Sequence, residues 1–411
     1  MDTIFKSPRL LTLFVVLILF LSLVPFNITK AQGWQLLDPP NTPEARFGHS
    51  LVTLPDGRVV MFGGQGENNT LFNDLNFFMD TWTPVTPENE SPPERKNHSA
   101  WAVEDKMYIH GGAGYSMFYD DLWSYDFSQN TWTMHSPDGI IPEAREYAPA
   151  FVWDGDLYLV GGQDGSGSFN NLWSYNIASN TWTKQGHIPM AAAGFAISTY
   201  EDYLYVLGYY NFTIALDLST MQARDFTSSP MPSQRQYSAF VQFDDIAYLF
   251  GGEGSVLQDM WSFDMSTETW SQLEDLPIPL KYACAAIYDN QIFLTGGIDE
   301  NDSINNLSWV YQLAPNSVQE NTMKYNFYLG NNYPNPFNPS TKISYSIVEH
   351  GLATLTVFNS IGEKIVVLVN EIKQPGLYEI TFDAKDLPTG IYFYSLKSGG
   401  HSLTKKMVLL H

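Results

Sequence analysis

Lys106-Met107-Tyr108-Ile109-His110-Gly111-Gly112 is an apolar run that stops on two glycines; Asp121-Leu122-Trp123-Ser124-Tyr125-Asp126 and Thr131-Trp132-Thr133 follow it. The same order recurs along the chain. Glycine pairs stand at Gly63-Gly64, Gly111-Gly112, Gly161-Gly162, Gly251-Gly252 and Gly296-Gly297, with a worn copy at Gly208-Tyr209. Successive first glycines lie 48, 50, 47, 43 and 45 residues apart. Trp82, Trp132, Trp182 and Trp270 follow the second glycine of their pairs by 18–20 residues. A fixed period of this length marks a repeat architecture in which each unit buries its face against its neighbours.

One unit contains four short apolar runs. In the second copy these are Ser99 to Val103, Met107 to His110, Leu122 to Asp126 and the Trp132 segment, separated by Glu104-Asp105-Lys106, Ala113 to Tyr119 and Ser128-Gln129-Asn130. β-branched and aromatic runs punctuated by Gly, Asp, Asn and Ser predict four antiparallel strands, called a to d here. No 3.6-residue apolar period is convincing, so the region reads as all β. Paired glycines suit a strand end that passes close to neighbouring backbone.

These motifs resemble the kelch family of β-propellers. The resemblance rests on Arg46-Phe47-Gly48-His49-Ser50, Val59-Val60-Met61-Phe62-Gly63-Gly64, Asp121-Leu122-Trp123-Ser124-Tyr125-Asp126 and Asn180-Thr181-Trp182, and covers about residues 33–313. It implies an all-β, six-bladed kelch β-propeller. WD40 is the near alternative, but the one Trp-Asp dipeptide, Trp153-Asp154, falls in an a–b turn.

The sixth repeat lacks its last strand. In repeats two, three and five Trp follows the Asp or Asn before strand c by 11 residues, so Asn306 predicts a Trp at 317, where Ser317 stands. An orphan Trp34 lies 12 residues before Arg46, close to the 13 that separate Trp82 from Arg95. Residues 33–37 are therefore expected to close the ring as the outer strand of blade six, leaving no open edge.

The two ends read differently. Residues 1–31 have Lys6 and Arg9 before an apolar run from Leu10 to Val24, then Ala31, which predicts a removed secretion signal; the run is short for a membrane span. The propeller is expected over residues 32–315, with a linker at 316–324. Residues 325–411 lack the period and alternate apolar and polar residues, which suits a small antiparallel, Ig-like β-sandwich. Tyr333-Pro334-Asn335-Pro336-Phe337-Asn338-Pro339, Gly390-Ile391-Tyr392-Phe393-Tyr394 and Lys405-Lys406-Met407-Val408-Leu409 resemble the type A C-terminal sorting domain of the type IX secretion system. That resemblance implies Sec export, outer-membrane translocation by the type IX machinery, a secreted or cell-surface location, and a Bacteroidota-like source.

The net charge is −23. Residues 1–31 and 325–411 are slightly basic, so residues 32–324 carry −26. Such a charge argues against nucleic acid and anionic membranes as partners. One cysteine, Cys284, excludes an internal disulfide framework. A monomer without cofactor or metal is expected; Asp164 to Ser168 and Asp299 to Ser303 offer oxygen ligands but no full calcium-loop spacing.

Strand parity puts the d–a and b–c connections on one face. The c–d turns are tight, whereas the b–c loops are longer and variable, which is where binding usually resides. Candidate ligand-binding residues on that face are Arg46, Arg95, Arg145, Arg235 and Lys281 at the start of strand a. They read either as a cationic ring for acidic ligands or as repeat residues paired with Glu44, Glu94 and Glu143. Tyr115, Phe118 and Tyr119 form the most apolar b–c loop, suited to stacking on sugars or anchoring peptides. Blade four has Ala191-Ala192-Ala193-Gly194 in place of the Arg, and Tyr209 and Tyr210 either line a notch there or mark degeneration.

No catalytic residue is assigned. A copper-radical oxidase on a similar propeller would need a Tyr–Cys crosslink; Cys284 lies on an inner strand, read here at the position of His49 and His98, and those oxidases have seven blades. The expected function is a secreted or surface module that binds a protein or glycan. The alternatives are a carbohydrate-active enzyme, such as an epimerase or lyase, and a structural surface protein.

Overall fold

The structure, a computed structural model, describes residues 33–254, 256–313, 327–330, 332, 335–348 and 350–410. The expected secretion signal and linker lie outside the described residues. Strands dominate, as the period-two patterning predicts; among the described residues the helical element is one 3₁₀ turn, Glu67–Asn69.

Residues 34–312 form six four-stranded antiparallel sheets. The second sheet runs Ser99–Val103, Lys106–His110, Leu122–Asp126 and Thr131–His135, each strand paired with the next. Four sheets use consecutive strands, and in the third a two-stranded hairpin, Gln163–Asp164 with Gly167–Ser168, stands between the second and third strands. In the sixth, Cys284–Tyr288, Gln291–Thr295 and Ser308–Gln312 are joined by Trp34–Leu37, with Trp34 opposite Tyr311 and Leu37 opposite Ser308. Inner strands contact one another around a closed cycle, the last, Cys284–Tyr288, meeting both Ala239–Phe243 and Ser50–Thr53.

The recurring Trp residues bind sheet to sheet. Trp132 lies 5.0 Å from Phe62 of the preceding sheet, Trp182 lies 5.2 Å from His110, and Trp82 lies 5.8 Å from Phe293. Trp270 donates Nε1–H to Thr213 Oγ1 of the preceding sheet at 3.1 Å. Trp34 takes the same place in the sixth sheet, 6.0 Å from Phe250 of the fifth. Burying an indole against a neighbour removes a large apolar area from water, which is why the residue recurs at this phase.

The glycine pairs have a geometric cause. Gly111 and Gly112 both have positive φ, and a Cβ on Gly111 would lie 2.7 Å from the Arg145 carbonyl oxygen. The Gly112 N–H donates to that oxygen at 2.8 Å, linking blade two to blade three, and Gly64, Gly162, Gly252 and Gly297 make the equivalent bond.

The C-terminal segment forms two antiparallel sheets, one of Tyr328–Leu329, Ser340–Ile347 and Gly376–Asp383, the other of Lys364–Lys373, Gly351–Asn359, Gly390–Ser398 and His401–Leu409. They share one core that includes Ile343, Tyr345, Leu355, Val357, Tyr394, Leu396 and Met407.

Candidate functional site

At the start of each strand a, one residue adopts positive φ: Gly48, Asn97, Tyr147, Gly194, Tyr237 and Tyr282. Their backbones form a hydrogen-bonded ring. Asn97 N–H donates to Gly48 O, Tyr147 to Asn97, Gly194 to Tyr147, Tyr237 to Gly194 and Tyr282 to Tyr237 at 2.6–3.0 Å, and Gly48 N–H reaches Tyr282 O at 3.5 Å. Glycine is required at 194 because a Cβ there would sit 2.4 Å from the Tyr237 ring.

Three phenols close this ring. Tyr147 and Tyr282 hold opposite positions in it, yet their ring centroids are 6.1 Å apart; Tyr237 lies 4.7 Å from Tyr147 and 4.5 Å from Tyr282. Burial, reinforced by Glu146 or Glu253, raises the phenol pKa of all three, so they remain neutral. Tyr282 Oη donates to Glu253 Oε2 at 3.2 Å, and Asn97 Nδ2 donates to Glu146 Oε2 at 2.7 Å. Beneath the phenols is a chamber of about 280 Å³ lined by His49, His98, Ser238, Phe195, Cys284 and neighbouring residues. These tyrosines escaped the sequence reading. Their signal was the position two residues after the repeat arginine, where Gly and Asn, the residues that tolerate left-handed backbone, alternate with Tyr.

The arginines do not present charge to solvent. Arg46, Arg95, Arg145 and Arg235 are buried, and Arg95 is fully so. Each guanidinium is used up by the repeat. Arg95 donates Nε–H to Pro93 O, Nη1–H to Gly111 O at 2.9 Å, and a fork to Asp121 at 2.6 and 2.7 Å, with Tyr119 stacked 4.3 Å away. Arg46 repeats this with Gly63, Asp74 and Phe72, and Arg235 with Gly251 and Asp259. Arg145 uses Gly161, Asn171 and Glu143. The pairing partner is therefore the Asp before strand c, and only in blade three the preceding Glu. A cationic ring at the channel mouth is ruled out for these four side chains, because their positive charge is neutralised inside the sheet.

Lys281 is corrected as well. Gly252 N–H meets Leu280 O where Gly64, Gly112 and Gly297 meet an arginine carbonyl, so Leu280 holds the arginine position and Lys281 the position after it. Lys281 Nζ pairs with Asp302 at 3.2 Å. The same one-residue shift moves Cys284 to the position of Ser50 and Ser99, since Ala283 packs on Gly297 as His49 packs on Gly64. Burial pushes the Cys284 thiol up to about 12, and it donates to His49 O at 2.8 Å. That is an inert, protonated thiol.

Comparison with known families now bears on this geometry. The KLHDC2/KLHL20/DRC7 Kelch-repeats domain matches residues 20–208, the Kelch motif matches 234–277, and the Secretion system C-terminal sorting domain matches 331–410. This chain carries kelch repeats and a secretion-sorting tail. Among curated proteins, Tip elongation aberrant protein 1 of Schizosaccharomyces pombe is 32% identical over 105 residues, 24% of this chain and 9% of that protein. Kelch-like protein terF of Aspergillus terreus is 31% identical over 111 residues, 24% of each chain. The chain thus spans a quarter or less of these relatives. The solved structure of YjhT covers 68% of this chain and 99% of its own, with TM-score 0.56 and 15% identity, a likeness of fold.

In the kelch propeller, the b–c loop of blade two is the most exposed aromatic feature of the loop face. Gly114 N–H donates to Met117 O, and this turn leaves Tyr115 67% and Met117 58% exposed. Tyr115 is nevertheless anchored, since its Oη accepts the Leu71 N–H of blade one at 3.2 Å. Phe118 and Tyr119 are half-buried, Phe118 within 4 Å of a Cβ at Gly165 and Tyr119 over Arg95. Tyr209 and Tyr210 are half-buried in a run of ring contacts from Phe195 through Tyr209 and Tyr210 to Phe212, so their faces are taken up by one another.

Buried imidazoles should make the propeller acid-sensitive. Burial, then Arg46, lowers the His49 pKa to about 3; burial, then Arg145, does the same to His110; burial, then Arg95, holds His98 well below its usual value. The unfolded chain binds these protons near pH 6.5 and the folded chain does not, so stability is full above that pH and falls as pH drops toward 3. Each histidine should cost about 1.4 kcal/mol per pH unit, or about 2 kcal/mol between pH 6.5 and 5. Urea unfolding at pH 7 and 5 measures this, and His49→Gln should flatten the slope; a pH-independent midpoint would refute it.

Proposed function

We propose that this chain is an exported kelch module whose b–c/d–a face binds a protein or glycan ligand, with residues 325–411 directing it through the type IX secretion system to the cell surface or the medium. One observation carries the binding reading: Tyr115 and Met117 project from a loop fixed on a closed, hydrogen-bonded scaffold. Held aromatics of this kind lose little entropy on binding. The reading rests on Tyr115, Phe118 and Tyr119 together with the tyrosines of the channel mouth, since the four predicted arginines are taken up by the repeat. The sorting tail supports the export half of the reading.

The test is binding of the full chain to a combined glycan and peptide array, beside a Tyr115→Ala, Met117→Ala variant with unchanged melting. Selective binding that falls at least tenfold in the variant is expected. Binding to no array member by folded protein would overturn the reading. Export is tested by fusing residues 325–411 to a reporter in a host with the type IX machinery. Retention of the reporter in the periplasm would sink that half.

A further inference from the structure

On the loop face, a cleft opens between blades one and two. Its walls are Tyr115 and Tyr119 from the b–c loop of blade two and Asn73 from blade one; its rim is Glu90, Ser91, Pro93 and Glu94. Glu90 and Glu94 are exposed, and among the described residues neither has an ion-pair partner. Arg95, the adjacent cation, is committed to Asp121 and does not neutralise Glu94. Asn73 Nδ2 donates to Pro92 O at 3.1 Å, which ties the rim to blade one. The cleft thus has one aromatic wall, anchored through Tyr115 Oη on the Leu71 N–H, and one anionic wall.

We infer that this cleft receives a Lys or Arg side chain from an exposed basic segment of a partner protein. This rests on the binding-module reading above and names its ligand class. The chemistry is specific: an aromatic face attracts a cation through its quadrupole, and the two carboxylates supply the counter-charge. The −26 of residues 32–324 acts in the same sense at longer range, drawing a basic partner toward the face. A neutral sugar would leave both carboxylates unanswered, and an acidic ligand would be repelled.

The experiment uses the full chain and a fluorescent twelve-residue peptide of alternating Arg and Gly, with a Gln-for-Arg counterpart, read by anisotropy. The Arg peptide is expected to bind and the Gln peptide not. Glu90→Gln with Glu94→Gln should weaken binding at least tenfold, and Tyr115→Ala about fivefold or more, while Asp302→Asn, a remote exposed carboxylate on the same face, leaves it unchanged. All these positions are exposed, so melting should stay constant. Equal loss with Asp302→Asn would mean diffuse attraction and overturn the assignment. So would binding indifferent to the cleft variants, or equal binding of the Gln peptide. If the Arg peptide fails while the array yields another ligand on this face, the cleft assignment falls and the binding module stands; if both fail, both fall.

Discussion

Deletion of residues 33–40 is expected to lower the melting temperature of the chain by about 10 °C or more. Two losses add. Trp34 leaves its place against Phe250 and Tyr311, and removing a packed indole costs about 3–5 kcal/mol. The Ser308–Gln312 strand also loses its ladder partner and becomes an edge. The chain beyond the strand adds a third link, since Trp82 N–H donates to Pro40 O at 3.2 Å. A domain of this size loses about 2–4 °C per kcal/mol, so a loss of about 5 kcal/mol gives the stated shift. Circular dichroism melting measures it. Trp34→Ala should reproduce more than half, which separates packing from strand pairing. A deletion that melts like the parent would show that the ring closes without this strand.

Arg95→Ala should be among the most damaging single changes in the propeller, lowering stability by about 3–5 kcal/mol. The side chain is fully buried and answers three groups at once: the Gly111 carbonyl, the Pro93 carbonyl and the Asp121 carboxylate. The Arg95 hydrogen bonds hold Asp121 below the usual carboxylate range against the opposing effect of burial, so alanine would leave a half-buried anion without its partner. Arg95→Lys should recover little, because an ammonium lacks the planar fork. Lys342→Ala, which breaks an exposed pair with Glu379, should change stability by no more than about 0.5 kcal/mol. Urea midpoints decide. An Arg95→Ala protein of full stability would return the arginines to the list of ligand contacts.

Much of the fold was legible because the repeat writes its packing into single residues. Gly112 has to be glycine where its N–H reaches the next blade, and Trp132 has to be large where it meets Phe62. The site was less legible, for a physical reason. Arg95 and Lys281 are both basic residues near the start of strand a, but one lies beneath the sheet and the other one residue further along, paired to Asp302. Composition does not separate them; the long-range partner does. That partner had a trace in the chain, since blade six has Leu280 in place of the arginine and Leu307 in place of the Asp before strand c, where Gly296 N–H meets its carbonyl. The channel-mouth tyrosines were hidden because their role depends on meeting across the axis from blades far apart in sequence.

The meeting of Tyr147, Tyr237 and Tyr282 narrows the propeller channel at its loop end to a cluster of touching rings. A ligand on the loop face, as proposed above, would meet neutral phenols at the channel mouth. The floor is not independent of the loops, since Glu253 at the start of the b–c loop of blade five accepts from Tyr282 Oη, so a change of charge in that loop reaches the phenols over the histidine-lined chamber.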